Sequence, residues 1–287
     1  MSSQITTAFT QQYSNNVKLL AQEKGSQLRN TVNVESVTGK NSFFDQVGVA
    51  TAQKRTTRHA DTPQIDTPHS RRRVSLVDYE YADLIDNQDK VRTLIDPTSS
   101  YAIASAYALG RAVDDEIISA VTGTAYTGET GSTSTSFTSA NAITEAGTDG
   151  LTLAKLRNAK QILDSNSVDP SIPRTIVVAP VAISDLLAVT QATSSDYASV
   201  KALVQGEIDT FMGFKFVMSN RLSKTGNLRK LLVYAQDGML LALGQDIVTR
   251  IDERSDKGYA TQVYCSQSIG ATRMEEEKCV SIESYEA

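Results

Sequence analysis

Residues 96–123, DPTSSYAIASAYALGRAVDDEIISAVTG, decide how this chain is read. Asp96 is a good helix N-cap, and Pro97 suits the first helical position, where no backbone donor is needed. Gly123 fits just past the end, where a left-handed residue closes the last turn. Ile103, Ala106, Gly110, Val113, Ile117 and Val121 recur every three or four residues and predict one apolar face. Ala102, Ala104, Ala106, Ala108 and Ala112 keep the helix slim, so that it can lie close against a sheet. At 1.5 Å per residue the helix is a rod of roughly 40 Å, better suited to a scaffold than to a catalytic element.

Working outward, the N-terminal side carries a polar, amphipathic stretch over residues 5–30, anchored by Ile5, Phe9, Val17, Leu20 and Leu28. It reads as a helix with no local partner, suited to packing on another subunit. Residues 42–51 (SFFDQVGVAT) alternate, with Phe43, Val47, Val49 and Thr51 on one strand face, and residues 73–81 alternate with Val77, Tyr79 and Tyr81 on another. Between them lies KRTTRHADTPQIDTPHSRR, polar and Pro-containing, with Ile65 as its only core-type residue. A loop of that length is too long for a hairpin turn and belongs to function or to a partner.

On the C-terminal side, residues 124–150 are rich in Ser, Thr and Gly and read as a connection with room for one short hairpin. Then Thr152 caps a helix whose face is Leu153, Leu156, Ala159 and Leu163. Residues 175–179 (TIVVA) read as a buried strand, Pro180 opens a helix to about Thr190, and 197–204 reads as a further helix. Strands follow at 214–219, 231–235, 239–243, 247–251, 259–266 and 278–284. Strands cluster late and helices do not alternate strictly with them, which favours α+β over a doubly wound sheet.

Composition narrows the function. The 287 residues are 40% apolar, enough for a sizeable core, with a net charge of -5 that makes the whole chain a poor attractor of nucleic acid. No apolar run reaches membrane-spanning length, and MSSQITTAFTQQYSNN lacks the basic-then-apolar signal pattern, which predicts a cytosolic product. Two cysteines, Cys265 and Cys279, fit a reducing compartment and the role of small packed hydrophobes. Both histidines, His59 and His69, lie in the polar loop region, so residues 90–287 offer no histidine to activate a nucleophile. There is no GxxxxGK loop, no GxGxxG after a strand, and no Cys/His spacing for zinc. No catalytic residue, cofactor or metal site is predicted.

The order of parts, with the stretches TPHSRRRVSLVDYEYADLID (67–86), DKVRTLIDPTSSYA (89–102), ALGRAVDDEII (108–118) and TGTAYTGETGS (122–132), resembles the major capsid proteins of tailed bacteriophages, the Hong Kong phage type of shell protein. The resemblance covers nearly the whole chain and implies a set of parts. These are an N-terminal arm (1–40), an extended E-loop with the first peripheral strands (41–90), and a peripheral domain (91–149) holding the spine helix 97–122. An axial domain (150–262) and a return to the peripheral domain (263–287) complete them. It implies self-assembly through pentamers and hexamers into an icosahedral shell around double-stranded DNA, with no enzyme activity and no cofactor. The expected partners are a separate scaffolding protein, a portal, room for a cement protein, and nonspecific contact with packaged DNA, without a membrane. The expected location is the virion capsid, assembled in the bacterial host cytoplasm. The alternatives are a cellular nanocompartment shell of the same fold and a soluble α+β enzyme.

Charge suggests how copies meet. Lys54, Arg55, Arg58, Arg71, Arg72 and Arg73 make the extension basic, whereas Asp114, Asp115 and Glu116 on the long helix and Glu275, Glu276 and Glu277 near the end are acidic. The expectation is that the basic extension lies across a neighbour's acidic spine region, where complementary charge fixes register.

Overall fold

The computed structural model describes residues 22–58, 61–62, 64–86, 98–144, 147–190 and 210–286. The long helix, α1, spans Thr98–Thr122; its expected caps Asp96 and Pro97 lie outside the described residues, as do 5–21 of the expected first helix and all of 197–204. The buried face of α1 is Ser105, Leu109, Val113, Ile117 and Val121, one residue per turn, flanked by Gly110, Asp114 and Ile118. The expected stripe is therefore right from Gly110 onward and shifted before it. Ile103 is 45% exposed, while Ser105 is fully buried with its hydroxyl against Cys265 Sγ at 2.9 Å and donating to the Ala102 carbonyl at 2.8 Å.

Helix α1 lies on a four-stranded sheet of order β1-β13-β14-β4, built from Asn33–Ser36 (β1), Met239–Arg254 (β13), Ala260–Arg273 (β14) and Val77–Ile85 (β4). Strands β13 and β14 form one long antiparallel ribbon, and β1 runs parallel to the root of β13. The two strands predicted at 239–243 and 247–251 are a single strand with irregularities at Leu243/Gln245 and Gln245/Val248, which explains why the apolar pattern breaks there. Leu240–Leu243 is covered by β1, whereas beyond Gln245 that edge of β13 has no pairing partner among the described residues.

The second sheet has the order β7-β15-β12-β8-β10-β9, from Ala142–Ile143 (β7), Cys279–Tyr285 (β15), Leu228–Ala235 (β12), Arg174–Val178 (β8), Phe214–Met218 (β10) and Thr210–Phe211 (β9). Lys224–Thr225 (β11) adds to β12. Every residue of β8, and 231–235 in β12, is buried, as continuous apolar runs require of central strands. Helix α2, Leu153–Ser165, packs here through Leu156, Ala159 and Leu163; its Thr152 hydroxyl accepts from the Lys155 amide at 3.3 Å, the predicted cap. Helix α3, Pro180–Thr190, follows β8 directly.

The third sheet is the short one, order β2-β3-β5-β6, from Asn41–Val47 (β2), His69–Ser75 (β3), Ala125–Thr127 (β5) and Thr133–Thr135 (β6). Strands β2 and β3 pair antiparallel from Asn41↔Ser75 to Val47↔His69, so the long polar segment is the tip of a hairpin after all. The stretch 73–81, predicted as one strand, is divided at Leu76 between this sheet and β4 of the long one. The Ser/Thr/Gly connection holds the predicted short hairpin, β5–β6, and β5 pairs with β3. Val74, Leu240 and Ala242, with Val37, Phe44, Leu76 and Met274 around them, make a small core where the hairpin leaves the body.

The segment before β1 departs from expectation. Residues 22–28 are not helical, and only Arg29–Thr31 forms a 3-10 turn. Leu28 is fully buried in this subunit, not reserved for another. A carbon added at Gly110 would sit 2.6 Å from the Gly25 Cα, so only glycine at 110 lets the chain cross α1 this closely.

Candidate assembly surface

The predicted charged residues separate into those consumed inside the subunit and those left on its surface. Asp114 is fully buried. Its carboxylate accepts from Ser26 Oγ at 2.5 Å, the Gln27 amide at 2.9 Å and the Leu28 amide at 3.1 Å. It ties the arm across the helix one turn after Gly110. Burial pushes its pKa above the ordinary aspartate value, partly offset by those three donors. Asp115 forms a two-pronged pair with Arg221, and Glu116 accepts from the Tyr79 hydroxyl at 3.0 Å. Burial, then the charge of Glu116, pushes the Tyr79 phenol up to about 12. Arg72 and Glu276 pair at 3.0 Å, both largely buried, and Glu275 meets Lys278 at 2.8 Å. Asp114, Arg72 and Glu276, expected at an inter-subunit contact, are largely buried with charged or hydrogen-bonding partners inside the subunit.

Arg71 and Arg73 lie on the outer face of the short sheet. Arg71 pairs with Asp45 at 2.5 Å and lies over the Phe43 ring at 5.6 Å; the guanidinium holds the Asp45 carboxyl below its usual range. Arg73 lies over Tyr126 at 4.7 Å. Register places Phe43, Arg73 and Tyr126 in one row across three strands. The alternation of β2 was legible, but the face that holds Phe43 and Val47 points outward: Val47 is 68% exposed, while Phe44 turns into the small core. Val49, beyond the strand, is 93% exposed.

Lys54, Arg55 and Arg58 stand in the exposed tip. Among the described residues Arg55 bonds to the tip's own carbonyls, Thr57 at 2.9 Å and Arg58. Glu277 is exposed. Ile251 and Tyr259 at the far end of the β13–β14 ribbon, with Tyr101 and Ile103 at the start of α1, are further exposed apolar side chains. A subunit with large side chains outside and charged side chains inside is built to be covered by others.

Sequence reasoning missed Arg273, the last residue of β14. It is fully buried and donates to the carbonyls of Val121 at 2.7 Å and Gly123 at 2.9 Å, closing the C-terminal end of α1. Its signal was an arginine ending the otherwise apolar and polar-neutral run CSQSIGATR, with Glu276 three residues on. Sequence reasoning also missed the arm cradle of Ser26 and Gly110, which no local pattern marks. Cys279 is fully buried, and burial pushes its thiol up to about 12, which disfavours the thiolate a nucleophile needs. No helix among the described residues is long and apolar enough to cross a membrane.

The architecture is shared with solved phage capsids. The capsid structure of Cyanophage P-SCSP1u matches with a TM-score of 0.71 at 16% identity, covering 99% of this chain and 94% of that one. The capsid of Ralstonia phage GP4 matches with a TM-score of 0.75 at 12% identity, covering 97% and 96%. The acid-stable capsid of Helicobacter pylori bacteriophage KHP30 matches with a TM-score of 0.73 at 9% identity, covering 99% and 98%. No curated protein sequence matches. The family described as phage capsid protein matches residues 5–286, nearly the whole chain, so the Hong Kong phage-type fold and the sequence agree. The chain belongs to the phage capsid protein family and has the fold of the solved phage capsids.

Proposed function

We propose that copies of this chain join as pentamers and hexamers into an icosahedral shell enclosing double-stranded DNA, with a structural and not a catalytic role. The observation that carries the reading is the β2–β3 hairpin. It leaves the body on a small core and exposes Phe43, Val47 and Val49 with the basic tip, which makes sense only if a neighbouring copy covers it. In this reading residues 1–40 are the arm, 41–90 include the E-loop, 91–149 hold the spine helix, 150–262 form the axial domain and 263–287 return. Strand β14 runs unbroken through residue 262, so that limit falls inside an element. The inter-subunit charge contact narrows to Lys54, Arg55 and Arg58, with Arg71 and Arg73 supporting the sheet behind them. Their acidic counterparts are surface groups of the neighbour, among which Glu277, Asp252 and Glu253 are exposed. Weak contacts repeated around every copy suffice, and they let misplaced subunits leave and rebind.

A scaffolding protein, a portal and a cement protein complete the proposed partners, with assembly in the host cytoplasm and sparse, nonspecific contact with DNA. The test is electron microscopy of the purified protein, alone and with a phage scaffolding protein, beside a sizing column. Closed shells or rings of five and six are expected; a subunit that stays monomeric under both conditions overturns the reading. Reversing Lys54, Arg55 and Arg58 to Glu is expected to stop closure while leaving a folded subunit, and normal shells would refute the charge contact.

A further inference from the structure

One carboxylate joins two guanidiniums that belong to different parts of the subunit. Glu276 accepts from Arg72 Nη2 through one oxygen, at 3.0 Å, and from Arg273 Nε through the other. Arg72 sits on β3 of the projecting hairpin. Arg273 holds the carbonyls of Val121 and Gly123 at the end of α1, and its guanidinium lies 5.4 Å from the Phe137 ring centroid. The backbone around Glu276 is fastened as well. Asn141 donates to its carbonyl at 2.7 Å, and the Met274 carbonyl receives both Arg72 Nε at 2.7 Å and Gln46 Nε2 at 3.0 Å, one donor from each strand of the hairpin. We propose that Glu276 is a positioning residue that sets the angle of the β2–β3 hairpin against the C-terminal end of the long helix, through the chain Arg72–Glu276–Arg273.

The physical case rests on what the alternatives lack. The apolar contacts at the hairpin root are few: Val74, Leu240 and Ala242 are the buried members. Apolar contact is non-directional and tolerates rotation, whereas two charge-assisted bonds on opposite oxygens of one buried carboxylate fix an orientation. Arg273 cannot follow a rotating hairpin, because its Nη1 is held by the helix-end carbonyls of Val121 and Gly123, while its Nη2 reaches the Thr135 carbonyl of β6 at 3.5 Å. Arg72 Nη1 is buried with no hydrogen-bond partner among the described residues, so the guanidinium is held there by the Glu276 pair and the Met274 carbonyl. A change at the end of α1 is therefore transmitted to the hairpin, and the reverse, by three side chains in series.

The inference rests on the assembly reading only for its biological consequence, and its test does not require shells. Spin labels at Val49→Cys, in the exposed tip, and Ser119→Cys, exposed near the end of α1, report the hairpin angle as a distance distribution in the full-length subunit. Arg72→Met removes the hairpin's link and leaves the Arg273–Glu276 pair in place. It is expected to widen the distribution about twofold or more. Glu276→Gln is expected to widen it too, whereas Lys278→Met, which breaks the neighbouring pairs with Asp237 and Glu275, is expected to leave it as in the parent. A parental width in Arg72→Met overturns the proposal, and so does equal widening in Lys278→Met. If Glu276→Gln does not fold, Arg72→Met decides alone. Shell yield of the tip reversal at Lys54, Arg55 and Arg58 tests the assembly reading separately and leaves the distance result standing whichever way it falls.

Discussion

The second sheet and the short sheet are both antiparallel at their centres, yet they are held in opposite ways. In the second, Leu231, Leu232, Val233 and Ile176 have essentially no exposure, and apolar burial alone accounts for its order. In the short sheet Phe43 and Val47 face out, Val74 and Phe44 reach only a small core, and the root is secured by arginines: Arg72 on Glu276, Arg73 on Tyr126, Arg71 on Asp45. The body is held by apolar burial, whereas the projecting hairpin is held by charge and, in the proposed assembly, is covered by another copy. The difference teaches that exposed apolar residues and buried charges are here two sides of one design for assembly.

The largest effects should come from attacking the body. Leu232→Ala is expected to cost about 3–5 kcal/mol, because a central strand buried on both faces cannot collapse onto the cavity. Urea denaturation measures it; a cost as small as that of a surface change would erase the contrast between the sheets. Arg273→Met is expected to cost about 3–5 kcal/mol by leaving Glu276 half-paired and the α1 carbonyls without a donor. A neutral result would mean that the end of α1 finds other donors.

Asp114→Ala follows, at about 3 kcal/mol or less, since three donors of the arm lose a charged acceptor. Cleavage of the arm by a protease should accelerate in parallel. The pH dependence has a definite sign. The folded pKa of Asp114 is raised by burial, so the folded state binds the proton more tightly than the unfolded one. This contribution is fully present below the unfolded value and is lost as pH rises through the folded one. Stability of the parent should therefore fall more steeply from about pH 4 upward than that of Asp114→Asn. A steeper fall in the variant would contradict the burial assignment. The smallest effect on the subunit is expected from Val47→Ser with Val49→Ser, within about 0.5 kcal/mol. The same pair should lower shell yield strongly, and shells formed at the parental yield would show that this face is not covered by a neighbour.

Much of the frame is legible in the order of the residues. The α1 rod, the Thr152 cap and the buried run at 175–179 depend on residues close in sequence, and local propensity reports them. The basic tip at Lys54, Arg55 and Arg58 is legible as charge. What is not legible is the destination of each charge. Asp114, Asp115 and Glu116 are consecutive and chemically alike, yet one is buried under the arm, one pairs with Arg221 and one receives Tyr79. Successive helix positions point about 100° apart, and only the packing of α1 says what lies in each direction.

The sequence by itself determined the α+β class, the long helix, the alternating strands and the membership in a capsid family. Those follow from periodicity and from motifs that are contiguous in the chain. Only the tertiary structure decided that the strand at 73–81 divides between two sheets, that the Phe43 face of β2 looks outward, and that Arg72, Glu276 and Arg273 meet. These facts depend on residues up to 204 positions apart, whose contacts are chosen by the packing of the whole chain and are written in no single segment of it.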